Sequence, residues 1–166
     1  FEGGIRVPYI VSWPDEINPG KKSDSAVHHF DIFPTIAKAA GIESIHTLDG
    51  VDLLPFIKNE KQTKPHKTLF WRSGNHQSVL HEKWKYIISK KENFRWLFDT
   101  SVDPLESNNL IESHPEVARK IEELMTKFNS EQNDPLFPAS YEVPIMIDKY
   151  DGQKFEEGDE YLYWSN

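Results

Sequence analysis

Hydrophobic and polar positions change their period several times along the chain. The run Val7-Pro8-Tyr9-Ile10-Val11-Ser12-Trp13 is rich in β-branched and aromatic residues and predicts a strand, with Pro8 near its start or at an edge. Being apolar on both faces, it reads as a core strand of a larger sheet. Pro14 and Asn18-Pro19-Gly20 mark a turn. A helix is expected over 31–40, with Asp31 as N-cap or first-turn acid, Pro34 inside the first turn and Gly41 ending it. Ile32, Thr35, Ile36, Ala39 and Ala40 would form its apolar stripe. Leu48-Asp49-Gly50-Val51-Asp52-Leu53-Leu54 reads as a turn into a short helical stretch through Ile57, and 59–66 as a polar surface loop.

The period then drops to two. Thr68-Leu69-Phe70-Trp71, Ser78-Val79-Leu80, Trp84-Lys85-Tyr86-Ile87-Ile88 and Arg95-Trp96-Leu97-Phe98-Asp99 predict four strands, with Trp84, Tyr86 and Ile88 on one face. Short gaps without a helix between them favour an antiparallel sheet. Ser113-His114-Pro115-Glu116 has the form of a capping box. Val117, Ile121, Leu124, Met125 and Phe128 behind it give one buried helix face. From Asp134 onward, prolines and acids predict an extended acidic arm.

At 166 residues with 37% hydrophobic and 13% aromatic content, the chain has material for a core in one domain or one domain with an appendage. No apolar run is long enough to cross a bilayer, and no membrane or nucleic-acid partner is expected. Without cysteine, disulfides, thiolate metal sites and a cysteine nucleophile are excluded within the segment. The net charge of -8 is uneven: eight acidic groups against Lys149 and Lys154 leave residues 134–166 at -6. Residues 70–97 carry a local +4, which permits an anionic ligand despite the overall sign.

Candidate chemistry is sparse. Glu2-Gly3-Gly4-Ile5-Arg6 reads either as an active-site loop or as a tight turn with Arg6 in a structural ion pair. The adjacent His28 and His29 diverge on any regular element and make a poor metal pair. Asp148, Asp151 and Asp159 lack the ligand alternation of a calcium loop. Trp71-Arg72-Ser73-Gly74-Asn75-His76-Gln77 sets an aromatic, a guanidinium, an amide and an imidazole beside a flexible glycine. Arg72 suits a sulfate or sugar carboxylate, His76 can donate to a hydroxyl or sulfate oxygen, and Trp71 or Trp84 can stack on a sugar. The alternative is a plain hairpin loop.

Read in order, these residues resemble a known family. Phe1 to Pro14 is similar to the EGG-x-R-x-P…WP signature of formylglycine-dependent sulfatases, and Asp31-Ile32-Phe33-Pro34-Thr35 to their DLFPT helix ending in AAG. Leu48-Asp49-Gly50-Val51-Asp52-Leu53 is similar to the LDG-x-DL turn. Trp84-Lys85-Tyr86, Leu97-Phe98-Asp99 and Asp103-Pro104-Leu105-Glu106-Ser107-Asn108-Asn109-Leu110 match the family's C-terminal pattern.

The resemblance implies an α/β fold: the end of an alkaline-phosphatase-like α/β domain over 1–65, then a four-stranded antiparallel sheet packed on a long helix over 66–133, then the acidic arm over 134–166. It implies hydrolysis of sulfate esters on a sulfated carbohydrate by a periplasmic or secreted enzyme whose N-terminal part is this segment's partner. Formylglycine and calcium belong to the family but no C/S-x-P-x-R motif occurs here, so no nucleophile, metal ligand or catalytic lysine is assigned and the segment alone is expected to be inactive. Glu2, Gly3, Gly4 and Arg6 are implied to form the active-site wall, and Arg72 and His76 to contact substrate. Where many members have A-V-R, this chain has Val79-Leu80-His81, which leaves the role of His81 open. Phosphonate or phosphodiester hydrolysis, and a non-catalytic glycan-binding or assembly module, are the alternatives.

Overall fold

The computed structural model describes residues 1–43, 46–90, 93–134, 142–146, 156–159 and 161–165, with only the backbone course given for 142–146 and 161–165. Contacts divide the chain into two compact bodies, one of Gly3–Leu69 and one of Phe1–Glu2 with Phe70–Asn166.

Gly3–Leu69 holds most of α1 (Glu2–Ile5), a 3-10 turn (His29–Asp31), α2 (Ile32–Ala39) and α3 (Leu54–Ile57). Its organising residue is Asp31, whose side chain is fully buried. The carboxylate accepts from the His28 and Val51 amides at 2.8 and 2.9 Å and meets His66 Nε2 with both oxygens at 2.9 Å. Asp31 therefore closes a capping box with His28 around the 3-10 turn and gives α2 itself no side-chain cap. Thr35, one turn on, donates to the Asp31 carbonyl at 2.6 Å and accepts from the Leu53 amide at 3.0 Å. These bonds fasten the 48–54 turn to the start of α2. Gly50 is required there, since a Cβ would lie 2.2 Å from the Phe30 carbonyl oxygen.

α2 ends as expected. Gly41 has φ +71°, and the Gly41 and Ile42 amides return to the Lys38 and Ala37 carbonyls in a Schellman arrangement. Two expectations fail in this body. Residues 7–13 form no strand: Val7 is 69% and Ile10 89% exposed, and no strand among the described residues pairs with them. A β ladder needs a neighbour, whatever the propensity of the run. The expected apolar stripe of α2 is likewise uncovered, with Ile32, Ile36, Ala39 and Ala40 exposed while Thr35 and Ala37 are buried.

The second body is a meander. Strands β1 (Thr68–Ser73), β2 (His76–His81), β3 (Trp84–Ser89) and β4 (Phe94–Asp99) lie side by side in chain order. Val79 pairs with Tyr86, and Tyr86 with Leu97, in antiparallel register. The 16-residue α4 (Pro115–Ser130) packs on one face, where Val79, Tyr86, Leu97, Ala118, Ile121 and Met125 form the core. Trp84 and Ile88 pack against the same cluster, as their alternation with Tyr86 requires. Phe70 stacks on Phe128, centroids 4.2 Å apart.

The expected capping box at Ser113 is absent. His114 is the N-cap residue with Pro115 in the first turn, and the Ser113 hydroxyl donates back to the Leu110 carbonyl at 3.1 Å. Within the acidic arm, β5 (Glu142–Met146) and β6 (Tyr161–Ser165) pair antiparallel, Glu142 opposite Ser165. Asp148 and Asp151 lie outside the described residues.

Candidate substrate-facing site

The meander has two faces, and alternation assigns each candidate to one. Gln77 of β2 accepts from the Asn129 amide of α4 at 2.9 Å, so Gln77, Val79 and His81 face the helix. His76, Ser78 and Leu80 consequently point to the opposite face. On β1, Phe70 packs on the helix, which puts Arg72 on the helix side and Trp71 and Ser73 on the other. The two-residue turn Gly74-Asn75, with Gly74 at φ +54°, thus separates an arginine and a histidine that share an end of the sheet but not a face.

Arg72 is exposed and donates from one nitrogen to the Asn133 carbonyl at 3.2 Å. His76 is half-buried. The β3–β4 turn reaches the same end, where the Lys90 amide donates to the Asn75 carbonyl at 2.9 Å. His81, the residue left open by the sequence, is 7% exposed on the helix face opposite Trp84, so it does not face solvent. Trp84 is also on that face, 5.1 Å from the His114 ring.

The face away from α4 holds a cluster that composition could not predict. Lys85 is fully buried on β3, with Nζ 2.8 Å from Glu2 Oε1 and 2.8 Å from Glu106 Oε1. The Glu2 amide donates to Glu106 Oε2 at 2.6 Å, so Glu106 holds both the cation and the backbone of its neighbour. Glu106 itself adopts φ +56°, an uncommon conformation for a side chain of this kind. Its loop is shaped by Asp103, whose carboxylate accepts from the Ser107 and Asn108 amides at 3.1 and 2.9 Å. Phe1 covers the neighbouring aromatics, 5.8 Å from Trp96 and 6.2 Å from Phe98.

Glu2 is therefore engaged inside the molecule and does not present a free carboxylate. Gly3, Gly4 and Arg6 are exposed, and among the described residues Arg6 has no ion pair. A Cβ on Gly3 or Gly4 would meet nothing within 4 Å. The sequence hinted at the triad only in that a lysine interrupts an otherwise apolar strand between Trp84 and Tyr86. It offered no sign of which carboxylates answer that lysine. His66, the buried partner of Asp31, was missed because it sits in a polar loop.

The described residues do not fit a calcium site. No group of three His, Asp or Glu is arranged around a possible ion, and the Asp31 oxygens are already taken by N–H donors. No helix among the described residues is long and apolar enough to cross a membrane.

Comparison with known proteins agrees with this architecture. Human steryl-sulfatase is 34% identical over 116 residues, covering 69% of this chain and 20% of its own length. The N-acetylgalactosamine-6-O-sulfatase of Bacteroides thetaiotaomicron is 26% identical over 141 residues, covering 75% of this chain and 27% of its own. A solved sulfatase from work on glycosaminoglycan metabolism by Bacteroides thetaiotaomicron superposes with TM-score 0.65 at 26% identity, over 78% of this chain and 30% of its own. The chain thus spans between a fifth and a third of these relatives. The solved neighbours are sulfatases of the alkaline-phosphatase-like fold. The family described as N-sulphoglucosamine sulphohydrolase, C-terminal, matches residues 1–134, and to that family of sulfatase C-terminal regions the chain belongs.

Proposed function

We propose that this chain is the substrate-facing C-terminal part of an enzyme that hydrolyses sulfate esters on a carbohydrate. The match of a sulfatase C-terminal family to residues 1–134 carries the reading. The relatives named for an amino sugar and for glycosaminoglycan metabolism favour a sugar substrate. Residues 1–65 are read as the closing piece of the catalytic α/β domain, 66–133 as the subdomain beside the pocket and 134–166 as an arm. The setting is periplasmic or extracellular.

In this reading the formylglycine nucleophile and the calcium ligands lie N-terminal to Phe1, and the present residues bind and orient. Arg72 directs the free part of its guanidinium fork toward a sulfate or carboxylate of the substrate. His76, on the other face of the same sheet end, donates to a hydroxyl or sulfate oxygen. Gly3, Gly4 and Arg6 line the wall.

The test is sulfate release by the full-length enzyme from sulfated mono- and oligosaccharides, compared for parent, Arg72→Ala and His76→Ala. Each variant should raise KM by about tenfold, the usual value of a lost charge-assisted hydrogen bond, with kcat within a few-fold. Parent-like KM in both variants would remove the hairpin from the pocket. Release of phosphate or phosphonate products instead of sulfate would move the chemistry within the superfamily.

A further inference from the structure

The buried triad does not look like a device for stability. Lys85 and Glu106 are fully or nearly withdrawn from water, with side chains 0% and 3% exposed, and the cluster places two carboxylates on one ammonium. Taking such charges out of water costs about as much as their attraction returns, and an apolar replacement is often neutral or better. Glu106 adds a left-handed backbone, a strain that tends to persist where geometry matters. What the triad does accomplish is to grip Glu2 twice, through its carboxylate and its amide nitrogen. Directly behind Glu2 stand two helical glycines that cost helix stability and that nothing in the chain's own packing requires. Bare backbone suits close approach by a ligand.

We propose that Lys85 and Glu106 are positioning residues that clamp Glu2, so that the bare backbone of Gly3 and Gly4 and the guanidinium of Arg6 are held ready for the sulfated substrate. The proposal rests on the sulfate-ester reading above. Three motifs far apart in sequence are one device: the lysine of Trp84-Lys85-Tyr86 and the glutamate of Asp103-Pro104-Leu105-Glu106 exist to fix the first residue of Glu2-Gly3-Gly4.

The test uses the full-length enzyme and two variants, Lys85→Met and the uncharged triple variant Glu2→Gln/Lys85→Met/Glu106→Met. Amide hydrogen exchange of residues 2–5, Tm, and kcat/KM are followed together. Lys85→Met should speed exchange at residues 2–5 at least tenfold while the amides of β2 and β3 stay protected. Its kcat/KM should fall about thirtyfold. The triple variant keeps a parent-like Tm without the clamp, so it should retain the fast exchange and the low kcat/KM. Parent turnover in a triple variant of parent Tm would reduce the triad to packing and overturn the proposal. Unchanged exchange at residues 2–5 in Lys85→Met would overturn it without reference to substrate. A parent that releases no sulfate from any sulfated sugar would instead overturn the sulfatase reading and the catalytic half of the proposal with it.

Discussion

Asp31 shows how much one carboxylate can organise. It answers two backbone amides and an imidazole from three separate stretches of chain, and it is fully buried. Asp31→Ala should cost about 3–5 kcal/mol in urea unfolding, since it orphans several buried donors at once. Gly50→Ala should be comparably severe because its Cβ would lie 2.2 Å from a backbone oxygen, whereas Gly3→Ala, with open space around it, should not lower Tm. His28 sets a pH dependence. Its folded pKa is held below 6.5, first by burial and then by the neighbouring His29, with His66 adding to the effect against Asp31. The unfolded chain therefore binds the proton more readily, and the His28 contribution is full above 6.5 and lost as pH falls through the folded value. A Tm series from pH 8 to pH 5 should fall less steeply in His28→Gln.

At the level of elements, α4 and α2 make a pair of opposites. Ile121 of α4 is 1% exposed in the core, so Ile121→Ala should cost about 2–5 kcal/mol. Ile36 of α2 is 62% exposed, so Ile36→Ser should stay within about 0.5 kcal/mol, both measured by urea unfolding. Periodicity alone assigned both residues to buried stripes. It was right for α4 because the sheet that covers it is encoded within the next fifty residues upstream, in the alternation of Val79, Tyr86 and Leu97. It was wrong for α2 and for residues 7–13 because an apolar pattern states that a face wants cover, not that this chain provides it. The strands were legible, as were the Gly41 stop and the short helix ending at Ile57. The cap at Ser113 was not, since His114 and Pro115 take the first turn one residue later. Nor were the faces of Arg72 and His76, which depend on where the two-residue turn falls.

Over the whole molecule, the opposing charges of the 70–97 segment and the acidic arm bear on polyanion binding. In the proposed reading, the net of -8 on these 166 residues opposes an anionic sugar at long range, and Lys90 and Arg72 at one end of the meander attract it nearby. The KM of the full-length enzyme for a polysulfated oligosaccharide should therefore depend on salt more steeply than that for a singly sulfated sugar. The difference should be largest below ~0.1 M, where the screening length exceeds about 10 Å. Equal slopes for the two substrates would show that only the scissile sulfate is read electrostatically.

The clamp on Glu2 also sets a timetable. Its partners lie 83 and 104 residues downstream. On a ribosome adding about 5–20 residues per second, Glu2 waits roughly 5–20 s before Glu106 emerges. The four strands of the meander, joined by short turns, can pair as soon as they are made. Lys85 therefore enters a forming sheet before Glu106 has been synthesised, when only one of its two carboxylate partners, Glu2, is already made. Assembly of this region should thus proceed in two stages, local pairing first and recapture of the distant N-terminal residues last. The slow, final stage is the one that seats Glu2 against Lys85 and Glu106.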